Sequence, residues 1–213
     1  MGNRDRSRIF DSWAQRYDDS VACSGDSFPL GGYRRVLEQV VSQAGADMGM
    51  SVLDLGVGTG NLAARFAALG CEVWGVDFSR DMLVKARAKL PGIHLVCVDL
   101  LDQWPGDLMR RFDRIVSAYV LHEFDLATKM QLLERLASER LAVGGRIVIG
   151  DIAFPTGEAR KAAHTRWAER WDEEEHYWAA DEAITAGARA GLHLTCAQVS
   201  HCGAVFVIVP MWR

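Results

Sequence analysis

Cysteine is scarce and scattered in this chain. Its five thiols, Cys23, Cys71, Cys97, Cys196 and Cys202, are odd in number and form no C-x-x-C pair, which removes the usual sequence signals for a disulfide framework, structural zinc or dithiol redox chemistry. Excess positive charge is also missing. The net charge is -4, so no global attraction draws the protein to nucleic acid. Uninterrupted apolar runs stop short of the length needed to cross a bilayer, and Gly2 to Arg8 is polar and charged where a secretory signal would be apolar. These absences lead to the expectation of a cytoplasmic protein with reduced thiols, no membrane partner and no nucleic-acid partner. There is no internal repeat and no low-complexity linker. The 213 residues suit a single domain, which at this size buries roughly 70% of the surface of its unfolded chain.

Glycine is plentiful where it matters. Val52-Leu53-Asp54-Leu55-Gly56-Val57-Gly58-Thr59-Gly60-Asn61 runs from an apolar segment into a glycine-dense turn, and Val73-Trp74-Gly75-Val76-Asp77 follows after one helix length. Strands are expected at Ser51 to Leu55, Glu72 to Val76, Ile93 to Val98, Asp113 to Ser117 and Arg146 to Asp151. Helices are expected at Asn61 to Leu69, Arg80 to Leu90 and Ala127 to Ala142, the last closed by Gly144-Gly145. Such alternation implies βαβ units and a parallel sheet. Two helices, from about Ile9 to Tyr17 and from Tyr33 to Gln43, precede the first strand as a cover. After Asp151 come a charged helix from Glu158 to about Glu175, a helix from Ala180 to Ala190, and a hairpin at the sheet edge from Leu194 to Val199 and Ala204 to Val209.

The glycine spacing is selective. Gly56, Gly58 and Gly60 follow G-x-G-x-G, and Asn61 stands where a dinucleotide fingerprint has its third glycine. That opposes a nicotinamide-dependent oxidoreductase. Backbone N–H groups of such a turn still approach a ligand closely, and the helix N-terminus behind it favours an anionic group. Asp77, ending the second strand, suits ribose hydroxyls.

On these residues the chain resembles a class I S-adenosylmethionine-dependent methyltransferase. Asp54 to Gly60 matches that family's first motif, including Thr59, and Asp77 matches its ribose-binding acid, with Phe78 and Asn61 counted beside them. Val98-Asp99-Leu100-Leu101 resembles the segment that meets the adenine, which implies Asp99 on the exocyclic amine and Leu100 against the ring. Phe112-Asp113-Arg114-Ile115-Val116-Ser117-Ala118 resembles the strand beneath the cofactor, ending with Ser117 and Ala118 beside its methionine part. By the same resemblance Asp54 reaches the cofactor's ammonium. Phe10-Asp11-x-Trp13-Ala14-x-x-Tyr17-Asp18 narrows the likeness to small bacterial members with an N-terminal helical cover, in which the tyrosine, here Tyr17, lies near the sulfonium or carboxylate. The resemblance implies an α/β, Rossmann-like sheet of seven strands, mostly parallel with one antiparallel strand from the terminal hairpin, and helices on both faces. It divides the chain into a cover (1–50), a cofactor-binding core (51–154) and a helical segment with the hairpin (155–213).

The sulfonium makes its methyl electrophilic, so such an enzyme chiefly aligns a nucleophile and excludes water. Tyr119-Val120-Leu121-His122-Glu123-Phe124-Asp125 follows the fourth strand, where an acceptor is expected. His122 is the catalytic candidate, able to take a proton near neutral pH or to make a structural hydrogen bond. Glu123 either orients it or caps the next helix. No metal is expected, because Leu126 occupies the second histidine of H-E-x-x-H, and the dispersed cysteines do not suit arsenite. His164, Trp167, Trp171 and Trp178 are spaced to share one face of a continuous helix, as a pocket wall or as ordinary packing. The expected activity is methyl transfer to a small molecule, releasing S-adenosylhomocysteine. A non-catalytic S-adenosylmethionine-binding protein stays open, as does an RNA or protein acceptor, which a cluster of Arg34, Arg35, Arg110, Arg111 and Arg114 around the cleft would favour.

Overall fold

The structure is a computed structural model that describes Asp18 and residues 25–211. The expected helix from Ile9 to Tyr17, and the Tyr17 site assignment with it, lie outside the described residues.

The first described helix, α1 (Tyr33–Ala44), precedes the central strand β1 (Ser51–Leu55). The chain continues through α2 (Ala63–Ala68), β2 (Glu72–Asp77), α3 (Arg80–Lys89) and β3 (His94–Cys97). After β4 (Phe112–Ala118) come α4 (Leu126–Glu139), β5 (Leu141–Phe154) and α5 (Gly157–Arg166). It finishes with β6 (Trp178–Ala179), α6 (Ala180–Arg189), β7 (Leu192–Gln198) and β8 (Gly203–Pro210).

The sheet order is β3-β2-β1-β4-β5-β8-β7, with β6 attached to β5 off that path. All pairs are parallel except those of β8, which runs antiparallel to both β5 and β7. The hairpin therefore inserts its second strand inside the sheet and leaves its first at the edge. Burial follows: β7 alternates Leu192 and Leu194 inward with His193 and Thr195 outward, whereas β8 is covered on both faces along its first four residues. From β1 the chain winds outward to β3, then crosses back to β4 on the other side. This reversal opens a crevice beyond the carboxyl ends of β1 and β4.

Alternation along the central strands separates two cores. Leu53, Leu55, Ile115, Ile147 and Ile149 face one side with Leu132, Leu133 and Leu136 of α4. Val52, Val116 and Val148 face the other with Val36, Leu37 and Val40 of α1. Gly150 admits α1 closely, since a Cβ there would stand 2.6 Å from Val36 and 2.7 Å from Val40.

Three expectations need correction. The helix read to Ala142 stops at Glu139, and Gly144-Gly145 sit inside β5. Gly144 turns at φ 79°, a Cβ on Gly145 would lie 2.9 Å from the Asp113 carbonyl, and the β4–β5 register shifts there; the glycines serve a bulge. The helix read from Glu158 to Glu175 ends at Arg166, followed by a short 3-10 turn at Ala168–Arg170. Beyond it the Asp172 carboxylate accepts from Glu174 N at 2.9 Å, a local turn that competes with helix. The sheet also has an eighth strand, β6, whose two residues are too few to show a period in sequence.

Candidate active site

The turn after β1 needs its glycines. Gly56, Gly58 and Gly60 have φ of 64°, 52° and 87°, a region costly for residues carrying a Cβ. Val57 N donates to Val76 O at 2.9 Å and Gly58 N to Asp77 Oδ2 at 2.8 Å. The other Asp77 oxygen accepts from Ser79 N at 2.9 Å. Asp77 thus braces two loops at the crevice.

Asp54, 2% exposed, lies on β1 just before the turn. Its Oδ2 has no hydrogen-bond partner among the described residues. Burial, reinforced by the negative charge of Asp77, holds its pKa well above the ordinary carboxylate range. A buried, unpaired carboxyl oxygen is costly, and an arriving ammonium is a fitting partner. A small cavity touching Asp54 is lined by Gly56, Gly58, Thr59, Asn61, Ala118 and Tyr33.

Other expected contacts are distributed differently. Thr59 Oγ1 donates to Asp18 Oδ1 at 2.6 Å, and Asn61 Nδ2 donates to the same oxygen at 3.0 Å. Lys89 Nζ joins Asp18 Oδ2 at 2.9 Å and Asn61 Oδ1 at 2.7 Å. Burial opposes ionisation of Asp18, but hydrogen bonds from Thr59, Lys89 and Asn61 outweigh it and lower its pKa. The side chains of Thr59 and Asn61 therefore fasten Asp18 onto the glycine turn. Ser117 is fully buried and its Oγ donates to Leu55 O at 2.8 Å, closing the β1–β4 seam. Asp99 Oδ1 accepts from Leu101 N at 2.9 Å in the turn after β3. Leu100 is buried in the core with Leu55 and Val76, and Phe78 directly follows Asp77 at the end of β2.

Tyr119 leaves β4 with φ 58°, a strained value for a tyrosine. The kink folds Val120 onto the glycine turn: a Cβ on Gly56 would lie 2.4 Å from Val120 Cγ2. Two residues later comes His122, 7% exposed, in a short 3-10 turn at Leu121–Glu123. Its Nδ1 lies 2.6 Å from Asp151 Oδ1, and its backbone N donates to Asp151 Oδ2 at 2.9 Å. Asp151, fully buried on β5, also accepts from Trp178 Nε1 at 3.0 Å. The His122 Nε2 atom faces Glu175 Oε1 at 3.6 Å and Glu123 Oε1 at 3.9 Å. Burial by itself would press the imidazole neutral; the carboxylate of Asp151, with Glu175 and Glu123, raises its pKa to about 9. Burial likewise opposes ionisation of Asp151, and His122 reverses it, so the Asp151 pKa is lowered. His176 N donates to His122 O at 2.6 Å, holding the 172–177 segment against this turn. Lys129 Nζ bonds His176 O and lies 4.4 Å from the centre of the Trp178 ring.

Asp151, Glu175 and Asp18 were missed as site residues. A carboxylate inside the apolar run Ile147-Val148-Ile149-Gly150-Asp151-Ile152 was a usable signal for the first; Glu175, inside an acidic triplet, offered none. The expected histidine and tryptophan stripe survives in part, His164 keeping ring contact with Trp171 at 4.9 Å. Trp178 belongs to β6, and Trp167 and Trp171 stack on Phe28, with ring centres at 4.9 and 5.6 Å. Of the five arginines, Arg34 and Arg35 line a cavity with Asp18, Tyr33 and Asn61 beside the glycine turn, and the other three do not join them. Arg110 pairs with Glu72 at the first residue of β2, Arg111 bonds Leu141 O at the first residue of β5, and Arg114 bonds Gly45 O. These lie at the amino ends of the strands.

Residues 52–145 match the family model described as a methyltransferase domain. An uncharacterized methyltransferase of Geobacillus kaustophilus is 35% identical over 157 residues, covering 73% of this chain and 70% of that protein. One of Bacillus licheniformis is 36% identical over 158 residues, covering 73% and 71%. Among solved structures, a DhpI–SAH complex superposes with TM-score 0.74 at 19% identity over 97% of this chain and 96% of that one. The magnesium protoporphyrin IX methyltransferase of Synechocystis with bound SAH gives 0.69 at 16%, covering 96% and 99%. With sequence relatives above the level at which family is shared and the same fold throughout, the chain belongs to the class I S-adenosylmethionine-dependent methyltransferases.

Proposed function

We propose that the enzyme methylates a small molecule bound at the carboxyl edge of β4, between the glycine turn and His122. The observation that carries this reading is the packing of Val120 on Gly56, which sets the His122–Asp151 pair beside the turn that follows Asp54. S-adenosylmethionine, when bound, supplies an electrophilic methyl group on sulfur. The residues proposed to hold it are Asp77 and Phe78 toward the ribose, Asp99 and Leu100 toward the adenine, and Asp54, Gly56, Gly58, Gly60, Ala118 and Tyr17 toward the amino-acid part. Thr59 and Asn61 support that set from behind through Asp18. The unpaired Asp54 oxygen favours an ammonium at its side of the turn.

His122 is the proposed catalytic residue, presenting Nε2 to the acceptor while Asp151 fixes the ring through Nδ1. Its charge state favours donation of a hydrogen bond at neutral pH, and Glu175 beside it is the carboxylate suited to receive an acceptor proton. A small acceptor is supported over RNA because three of the five arginines, Arg110, Arg111 and Arg114, are committed to the opposite end of the sheet and Arg35, near the crevice, pairs with Asp26. The known substrate of the protoporphyrin methyltransferase neighbour is consistent with a small acceptor in this fold. The test is a screen of metabolite fractions for acceptor-dependent S-adenosylhomocysteine release. Release with protein or RNA alone would overturn the small-molecule reading.

A further inference from the structure

We propose that His122, Glu123 and Glu175 bind one divalent transition-metal ion. Their ligand atoms all lie within 4.8 Å of one another. Glu175 Oε1 stands 3.6 Å and Glu123 Oε1 3.9 Å from His122 Nε2, against ligand separations of roughly 3.4 Å for tetrahedral zinc with bonds near 2.1 Å. The two distances from Nε2 are close to that value, and side-chain rotation of the glutamates brings their oxygens, within 4.8 Å of each other, nearer together.

A buried imidazole distinguishes the group from an ordinary acidic cluster. The His122 side chain is 9% exposed, and its Nε2 makes no hydrogen bond within 3.5 Å among the described residues while aiming between the two carboxylates. On the other side of the ring, Nδ1 meets Asp151 at 2.6 Å. A carboxylate behind a histidine is the recurrent support of metal-ligating imidazoles, because it sets the tautomer and leaves Nε2 as the donor atom. Asp151 is itself held by Trp178 Nε1 and by the backbone N–H of His122 and Ile152. The backbone bond from His176 to His122 O sets the Glu175 segment against the turn carrying the other two ligands, so the site is assembled before an ion arrives.

Charge points to the same ligand. Three carboxylates surround one imidazole, and the Glu123 and Glu175 side chains are only 19% and 23% exposed. Among the described residues, Lys129 bonds His176 O and lies over the Trp178 ring, and Arg160 bonds Tyr177 O and Glu182. One nitrogen with two carboxylates suits zinc, iron or manganese better than calcium, which takes 6–8 oxygens. Metal binding displaces the Nε2 proton, so with an ion bound Nε2 is a ligand and no longer a hydrogen-bond donor to the acceptor; the ion's role toward an acceptor rests on the methyl-transfer reading, and its binding does not.

The full chain, freed of metal by chelation, is titrated with Mn2+ while the electron paramagnetic resonance signal of free Mn2+ is followed, and competed with Zn2+. One Mn2+ per chain is expected, displaced by Zn2+. Glu175→Gln keeps size and hydrogen bonding and is expected to weaken binding at least tenfold; Asp151→Asn, acting through His122, is expected to weaken it about 10 to 100-fold. Circular dichroism melting shows whether each variant folds. Equal Mn2+ and Zn2+ affinities for the wild type and for a folded Glu123→Gln, Glu175→Gln double variant would overturn the site. S-adenosylmethionine calorimetry on the same preparations keeps the two readings apart, since loss of nucleoside binding with the ion retained counts against methyl transfer alone.

Discussion

At the scale of single residues, the side chains divide by what they hold. Asp77 accepts from Gly58 N and Ser79 N, so Asp77→Ala removes both braces and the proposed ribose contact. S-adenosylmethionine affinity is expected to fall by about 1 to 3 kcal/mol, the value of a charge-assisted hydrogen bond; calorimetry checks it, and unchanged affinity would remove Asp77 from the site. His122→Ala is expected to lower turnover far more than cofactor affinity, by about 100-fold or more for a group acting on a proton. Steady-state kinetics on an acceptor found by the release screen separates the two parameters. Both residues stand out in the sequence as chemistry-bearing types at the end of a strand or in the loop after one. Asp151 was harder to see, since only the folded chain brings β5 beside the turn after β4.

At the scale of elements, close approaches decide what each segment tolerates. Gly150 on β5 takes α1 so closely that Gly150→Ala puts a methyl within 2.6 Å of Val36. Overpacking of this kind is expected to cost about 1 to 3 kcal/mol, read as a lower midpoint in urea unfolding. Asp113 latches β4 to β1, accepting from both the backbone N and the Oγ of Ser51 at 2.8 Å. The backbone hydrogen bond from Ser51 is the main cause of its lowered pKa. A carboxyl ionising more readily when folded stabilises fully above its unfolded pKa, and that share is lost as pH falls through the folded value. The acid limb of the stability profile, measured from pH 6 down to roughly pH 2, is therefore expected to flatten in Asp113→Ala. Helix ends and strand starts were less legible than element types. Gly144-Gly145 looked like a helix stop and proved to be a bulge, since glycine marks both.

At the scale of the whole molecule, Asp18 ties the chain preceding α1 to the glycine turn and to Lys89 at the end of α3. Asp18→Ala leaves Thr59, Asn61 and Lys89 without this shared partner, and S-adenosylmethionine affinity is expected to drop several-fold, about 1 kcal/mol, in the same calorimetric assay. The sequence by itself determined the α/β alternation, the G-x-G-x-G turn with its carboxylates and the kind of nucleoside it serves. Those features rest on local spacing, where a positive φ or an alternating strand leaves its mark within a few residues. Only the tertiary structure decided that Ser117 seals a strand seam, that Trp178 and Lys129 support Asp151 and His176, and that Glu175 meets His122. These pairings join segments far apart in the chain, and their partners are selected by sheet order and packing, which no local pattern encodes.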